Sequence, residues 1–211
     1  MRGWRGLGAV AGIAGPVAFT AGWVVASLRQ TGHSATQVQI SGLAAPGARD
    51  PEIMIAAFVI LGGCSVAFGA ALHRELSDGA RGPGLGPRLV QGAGLLAVAA
   101  GLLRRDHMLL GRSAAGESWH NHAHDVVSAV IYVFLVAAPL LLAVRFRGDP
   151  RWRGLTLPLV AGALVTAGFL GVFVSGTSAP SAGLLQRIAV TVPLALLATV
   201  AVRLLRLSWR R

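Results

Sequence analysis

An all-α polytopic membrane protein, a bundle of six transmembrane helices, is the fold class this chain predicts. Three observations carry it. Of 211 residues, 54% are hydrophobic and 13% charged, against about 25% charged in an ordinary soluble domain. The mean hydropathy is +0.65. Six apolar runs each approach the roughly 20 residues that a helix rising about 1.5 Å per residue needs to cross a ~30 Å hydrocarbon core. The chain therefore reads as a single integral membrane domain over residues 1–211.

The first run, 7–28, follows Arg2 and Arg5 and so imitates a signal peptide. It is longer than a signal core of about 7–15 residues, and further spans follow, so it reads as an uncleaved helix. The second run is 53–72. It contains Cys64, the only cysteine, so no internal disulfide and no cysteine-based metal knuckle is possible. The third, 85–103, has Pro87 and Arg88 at its start. The fourth, 126–144, and fifth, 155–174, are uninterrupted by charge, and the sixth, 184–205, carries Arg187 about one turn inside. Within these runs Gly8 and Gly12 form a small-xxx-small pair, and Gly62, Gly63, Gly94, Gly101, Gly168 and Gly171 are expected to let backbones approach closely. Pro16, Pro139, Pro158 and Pro193 are expected to kink their helices by removing a hydrogen bond each.

All 19 basic residues are arginine. With abundant Gly, Ala and Val, this points to a GC-rich bacterial genome. The net charge of +11 does not point to nucleic acid, because the arginines flank the apolar runs instead of forming one stripe. Cytoplasmic loops collect positive charge. With the N-terminus inside, 13 arginines fall on the cytoplasmic side and 6 outside, those being Arg29, Arg49, Arg104, Arg105, Arg112 and Arg187. This predicts a plasma-membrane protein with both termini cytoplasmic, and with Trp4, Trp152 and Trp209 as inner interface anchors.

Under that topology the segment 104–125 faces outward. It holds four of the six histidines and three of the eight acidic residues, and ionisable groups at the edge of a span mark a functional site. Ser41, Asp106, His107, His124, Asp125 and Arg187 all fall near the outer boundary. Arg187 inside a span calls for a carboxylate partner, for which Asp125 and Asp106 are the candidates.

Three chemistries suit this set. In the plainest, the ion pair fixes helix register and His124-Asp125 is the polar start of the fourth helix. In a metal site, zinc would be the cofactor: if the helix extends back through the cluster, His120 and His124 share a face, with Asp125 beside them and His107 or Asp106 completing the set. In a metal-free site His124 is an acid or base oriented by Asp125, with Asp106 the third acid in reach, while Arg187, Ser41 and His107 bind a ligand's phosphate or carboxylate head. His120 and His122 also read as alternate residues facing water, with Trp119 an outer anchor.

The loop around 29–51 mixes polar residues at 34, 36, 37, 39 and 41 with apolar ones at 38, 40 and 43, as suits a segment lying in the interface or tucked over the bundle. Together with Gly12-Ile13-Ala14-Gly15-Pro16, the pairs His33-Ser34 and Ser41-Gly42-Leu43, Asp106, His124-Asp125, Pro150-Arg151-Trp152-Arg153 and Gly183-Leu184-Leu185-Gln186-Arg187, this order of motifs resembles the bacterial and archaeal membrane proteins catalogued as domain of unknown function nine hundred and ninety-eight. His33 stands where that family has an aromatic hydroxyl, and Gly42 where it usually has an acid. The resemblance implies six helices and no particular reaction. The function expected is the handling of a lipid or other amphipathic ligand at the outer polar site, the alternative being a membrane-embedded enzyme acting on a lipid.

Overall fold

A computed structural model describes residues 2–77, 82, 84–107, 117–175 and 180–209. Of the arginines counted above, Arg81, Arg112, Arg210 and Arg211 lie outside these. The described residues form six α-helices and two short 3-10 turns: α1 (Arg2–Arg29), α2 (Pro51–Ser77), α3 (Gly86–Leu102), α4 (Trp119–Phe146), α5 (Thr156–Ser175) and α6 (Ala182–Trp209), with turns at Ser41–Ala44 and Arg153–Leu155. Five of the helices are long and apolar enough to cross a membrane. The exception is α3, which has 17 residues.

The helices follow one another around a closed ring in chain order, and α6 returns to pack against α1, while α4 also touches α6 across the interior. Large apolar side chains face outward all round it. Leu28, Ile60, Leu95, Val126, Leu157 and Leu184 are exposed on six different helices, which suits a lipid surround and not water.

In lipid, burying apolar area adds little, so close packing must hold such a ring together. The glycines show where it does. A Cβ at Gly8 would lie 2.3 Å from the Ala71 Cβ, and one at Gly12 would lie 2.6 Å from the Phe68 ring and 2.8 Å from Ala201. Gly62 and Gly94 face each other, and a Cβ on either would come within 2.6 Å of the other's carbonyl oxygen. Gly63, Gly168 and Gly171, by contrast, meet nothing within 4 Å. They lie on open helix faces, so the expectation of close packing fails there. Pro16, Pro139 and Pro193 sit inside helices. Pro158 is the third residue of α5, where its missing N–H had no helical partner to lose, so no kink follows.

The ring has two polar ends. At the terminal end, where α1 begins and α6 finishes, buried Glu75 of α2 accepts from Arg5 at 3.0 Å and from Arg151 at 2.9 Å. Arg151 also grips Asp149 at 2.9 Å, and its backbone carbonyl accepts from Arg203 Nε at 2.8 Å. The hydrogen bonds from Arg151 hold the Asp149 carboxyl below its ordinary range. Arg145 is buried here and donates to the Gly82 and Leu76 carbonyls. Trp152 is fully buried and stacked on Phe146 at 4.7 Å. It packs the core and is no interface anchor, because the turn after α4 folds inward beneath Glu75. Trp4 and Trp209 are exposed at this end, as expected of anchors.

Candidate functional site

The opposite end, the loop end, carries the residues that the sequence marked. The fourth helix begins at Trp119 and not near 126, because the Ser118 side chain accepts from the Asn121 backbone N–H at 3.3 Å and caps it. Its first two turns are too polar for a hydropathy pattern to detect. Asp106 fixes that cap. It accepts from Ser118 N at 2.7 Å and from Ser118 Oγ at 2.6 Å, and these bonds hold its carboxyl below the ordinary value. Asn121 joins the two candidate acids: its Oδ1 accepts from Asp106 N at 3.2 Å and its Nδ2 donates to Asp125 at 3.3 Å. Asp106 and Asp125 thus form a clasp between the end of α3 and the start of α4.

Arg187 meets no carboxylate among the described residues, contrary to the expectation of Asp125 or Asp106. Its Nη1 donates to the carbonyls of Ala35 and Val38 at 2.6 Å and of Gly183 at 3.0 Å, and its guanidinium lies 5.2 Å from the Trp23 ring centroid. The reason is the first loop, which curls back over the bundle so that Gln39–Ala45 are buried. The Leu184 N–H donates to the Thr36 carbonyl at 3.0 Å. A Cβ at Gly183 would stand 2.4 Å from the Val38 carbonyl oxygen, so only glycine admits the loop this close. Two more arginines hold the same loop: Arg104 donates to the Ala44 carbonyl at 2.8 Å, and buried Arg105 to Gln39 Oε1 at 2.9 Å, with Asp125 at 3.8 Å. His33 lies against Arg187, and burial together with that charge lowers its affinity for a proton.

His124 is 3% exposed. Its Nδ1 stands 3.0 Å from the Ala100 carbonyl and 2.6 Å from that of Leu103. These belong to the last turn of α3, whose final carbonyls have no helical partner. A carbonyl only accepts, so Nδ1 carries the proton, and in its neutral form the ring offers Nε2 as a lone-pair acceptor. Nε2 has no hydrogen-bond partner among the described residues.

His124 borders a cavity of about 100 Å³ in the centre of the ring, walled by α1, α2, α3, α4 and α6 and roofed by Ile40 and Ser41. The wall is mostly apolar: Phe19, Phe58, Leu61, Ala93, Ala97, Ala100, Ile131, Leu135, Leu194 and Leu197 among others. Its polar groups are Ser41, Ser65, His124, Ser128, Tyr132 and Gln186. Gln186 donates to the Tyr132 hydroxyl at 2.7 Å and accepts from the Ile40 backbone N–H at 2.7 Å, which pins the roof to α4 and α6.

Of the residues marked in advance, the cavity therefore brings together Ser41 and His124 only. Asp106, Asp125 and Arg187 serve the loop end's own architecture, and His107 is exposed. His120 and His124 do share a helix face, but His120 is exposed and stacked on Trp119 at 3.8 Å, while His124 gives Nδ1 to α3. The described residues contain no group of three His, Cys, Asp or Glu placed to hold a metal, so the zinc set does not fit and no step is derived through it. His122 is exposed, 3.7 Å from Glu117. The residues that sequence reasoning missed are Ser128, Tyr132 and Gln186. A signal existed: 124, 128 and 132 recur every four residues, one stripe of a helix.

No curated protein and no solved structure matches the chain. The family model described as "Protein of unknown function (DUF998)" matches residues 13–203, nearly the whole ring including the loop end and the cavity, and the chain belongs to that family.

Proposed function

We propose that this protein crosses the bacterial plasma membrane with all six helices, keeps both termini in the cytoplasm and turns the loop end outward, where it holds a lipid or another amphipathic molecule. The cavity carries this reading. It is apolar along its length, has hydrogen-bonding groups gathered on one stripe of α4 and under the Ser41 roof, and is walled by five helices. An apolar space of this order accommodates a small hydrocarbon or a chain segment. The orientation rests on the excess of arginines at the terminal end, among them exposed Arg74, Arg147, Arg153 and Arg206.

The test is to purify the chain into lipid nanodiscs, extract what it retains and identify it by mass spectrometry, beside Ala97→Phe, which fills the cavity from α3. An amphiphile retained by the natural chain and lost from a folded Ala97→Phe variant is the expected result. Identical extracts from both overturn the reading. The unpartnered Nε2 of His124 favours one second reading, in which this nitrogen takes a proton from the bound molecule and the protein is a lipid enzyme. His124→Gln then abolishes conversion of the retained molecule while leaving its binding.

A further inference from the structure

We infer that the ligand of this cavity has an uncharged, hydroxyl-bearing head and is not a phosphate, carboxylate or ammonium amphiphile; the inference rests on the reading of the cavity as an amphiphile site. The lining groups decide it. Among the described residues the wall carries no Asp, Glu, Lys or Arg, and its polar side chains are three serines, Tyr132, Gln186 and the imidazole of His124. The two buried cations of the loop end are committed elsewhere. Arg187 spends Nη1 on three backbone carbonyls, and Arg105 donates to Gln39 and faces Asp125. Neither lines the cavity, and among the described residues no acidic side chain does. A charged head placed there would lose its hydration with no counter-charge in return, which is the most expensive burial available.

A hydroxyl finds what it needs. His124 is a buried residue whose Nδ1 proton is held by the Ala100 and Leu103 carbonyls, and the Nε2 of its neutral ring accepts the ligand's hydroxyl in a hydrogen bond. The Ser41 and Ser128 hydroxyls, which bond no other described residue, can donate to the ligand's oxygen. An amine or an acid meets the same groups at the cost of its charge. A plain alkane leaves Nε2 unsatisfied, and buried acceptors without partners discriminate strongly against analogues that lack the matching donor.

The experiment uses the full chain in phosphatidylcholine nanodiscs at pH 7.5 and a photoactivatable medium-chain alcohol as the probe. Labelled residues are mapped by mass spectrometry. Competitors of one chain length are the alcohol, the carboxylate, the phosphate monoester, the amine and the alkane. The expected outcome is labelling of cavity residues that the alcohol suppresses at least about ten-fold more effectively than any charged analogue or the alkane. In Ser128→Ala, which disturbs no bond of the fold, the alcohol's advantage over the alkane shrinks. A carboxylate, phosphate or amine that competes as well as the alcohol overturns the uncharged head while leaving the cavity site standing, provided Ala97→Phe still abolishes labelling. Labelling that Ala97→Phe does not change overturns the cavity reading itself and this inference with it.

Discussion

The two ends of the ring solve one problem in two ways. At the terminal end, arginines and acids neutralise each other: buried Glu75 sits between Arg5 and Arg151, and Asp149 between Arg151 and buried Arg145. At the loop end the buried guanidinium groups of Arg187 and Arg105 are met chiefly by neutral oxygen, from the backbone of residues 35–38 and from Gln39. The first arrangement needs acids within the helices. The second needs a piece of chain that turns back and presents its own carbonyls. A cation near the edge of a span is therefore no reliable pointer to a carboxylate, because a folded loop can serve instead.

The largest expected effect tests whether the loop end depends on its arginine. Arg187→Met strips the donor from the Ala35 and Val38 carbonyls, each costing about 1–3 kcal/mol when left unsatisfied. Thermal unfolding in nanodiscs should fall accordingly, and hydrogen exchange should rise first across residues 34–45. Next comes Gly183→Ala, which drives a methyl group against the Val38 carbonyl and should cost about 1–3 kcal/mol with the same local exchange signature. Glu75→Gln should cost less, about 1–2 kcal/mol. The Arg5 and Arg151 side chains are 25% and 34% exposed, so water can take over for the lost charge. If Glu75→Gln proves the more damaging of the two polar changes, the contrast between the ends is wrong.

Acid should separate the ends. His33 binds a proton less readily folded than unfolded, so the unfolded chain takes up more protons and stability falls as pH drops below about 6.5. Asp149 has a lowered value. Its contribution is complete above about 3.9 and disappears only as pH falls further, through the folded value. Hydrogen exchange measured from neutral pH down to about 5, corrected for its intrinsic pH dependence, should loosen residues 34–45 while the terminal end stays protected. His33→Gln should remove the difference. The smallest effect is the control: Gly168→Ala, on an open face of α5, should be neutral or add up to about 1 kcal/mol through helix propensity.

The contrast also explains what the sequence could and could not say. Hydropathy finds a helix wherever an apolar run exists, so 53–72 and 155–174 lie inside or nearly coincide with α2 and α5. It misses the Trp119–Asp125 start of α4, whose cap depends on Ser118 and on Asp106, 12 residues earlier in the sequence. The tucked loop was legible as an alternative in the alternation of 34–43, but its partner was not, since nothing in the spacing joins Val38 to Arg187. Likewise 124, 128 and 132 mark a stripe on one helix. That Ala97, Leu194 and Phe19 face the same stripe is set by ring closure, which periodicity does not encode.

The short α3 carries one more consequence. Seventeen residues rise about 25 Å, less than the ~30 Å of a typical hydrocarbon core. At its C-terminal end the carbonyls of Ala100 and of the capping residue Leu103 receive His124. With α3 crossing the bilayer as proposed, this mismatch is relieved by local thinning beside α3. The wall that holds Ala97 and Ala100 is then also the place where membrane thickness acts on the protein, and thicker bilayers would press on the side of the ring that borders the cavity.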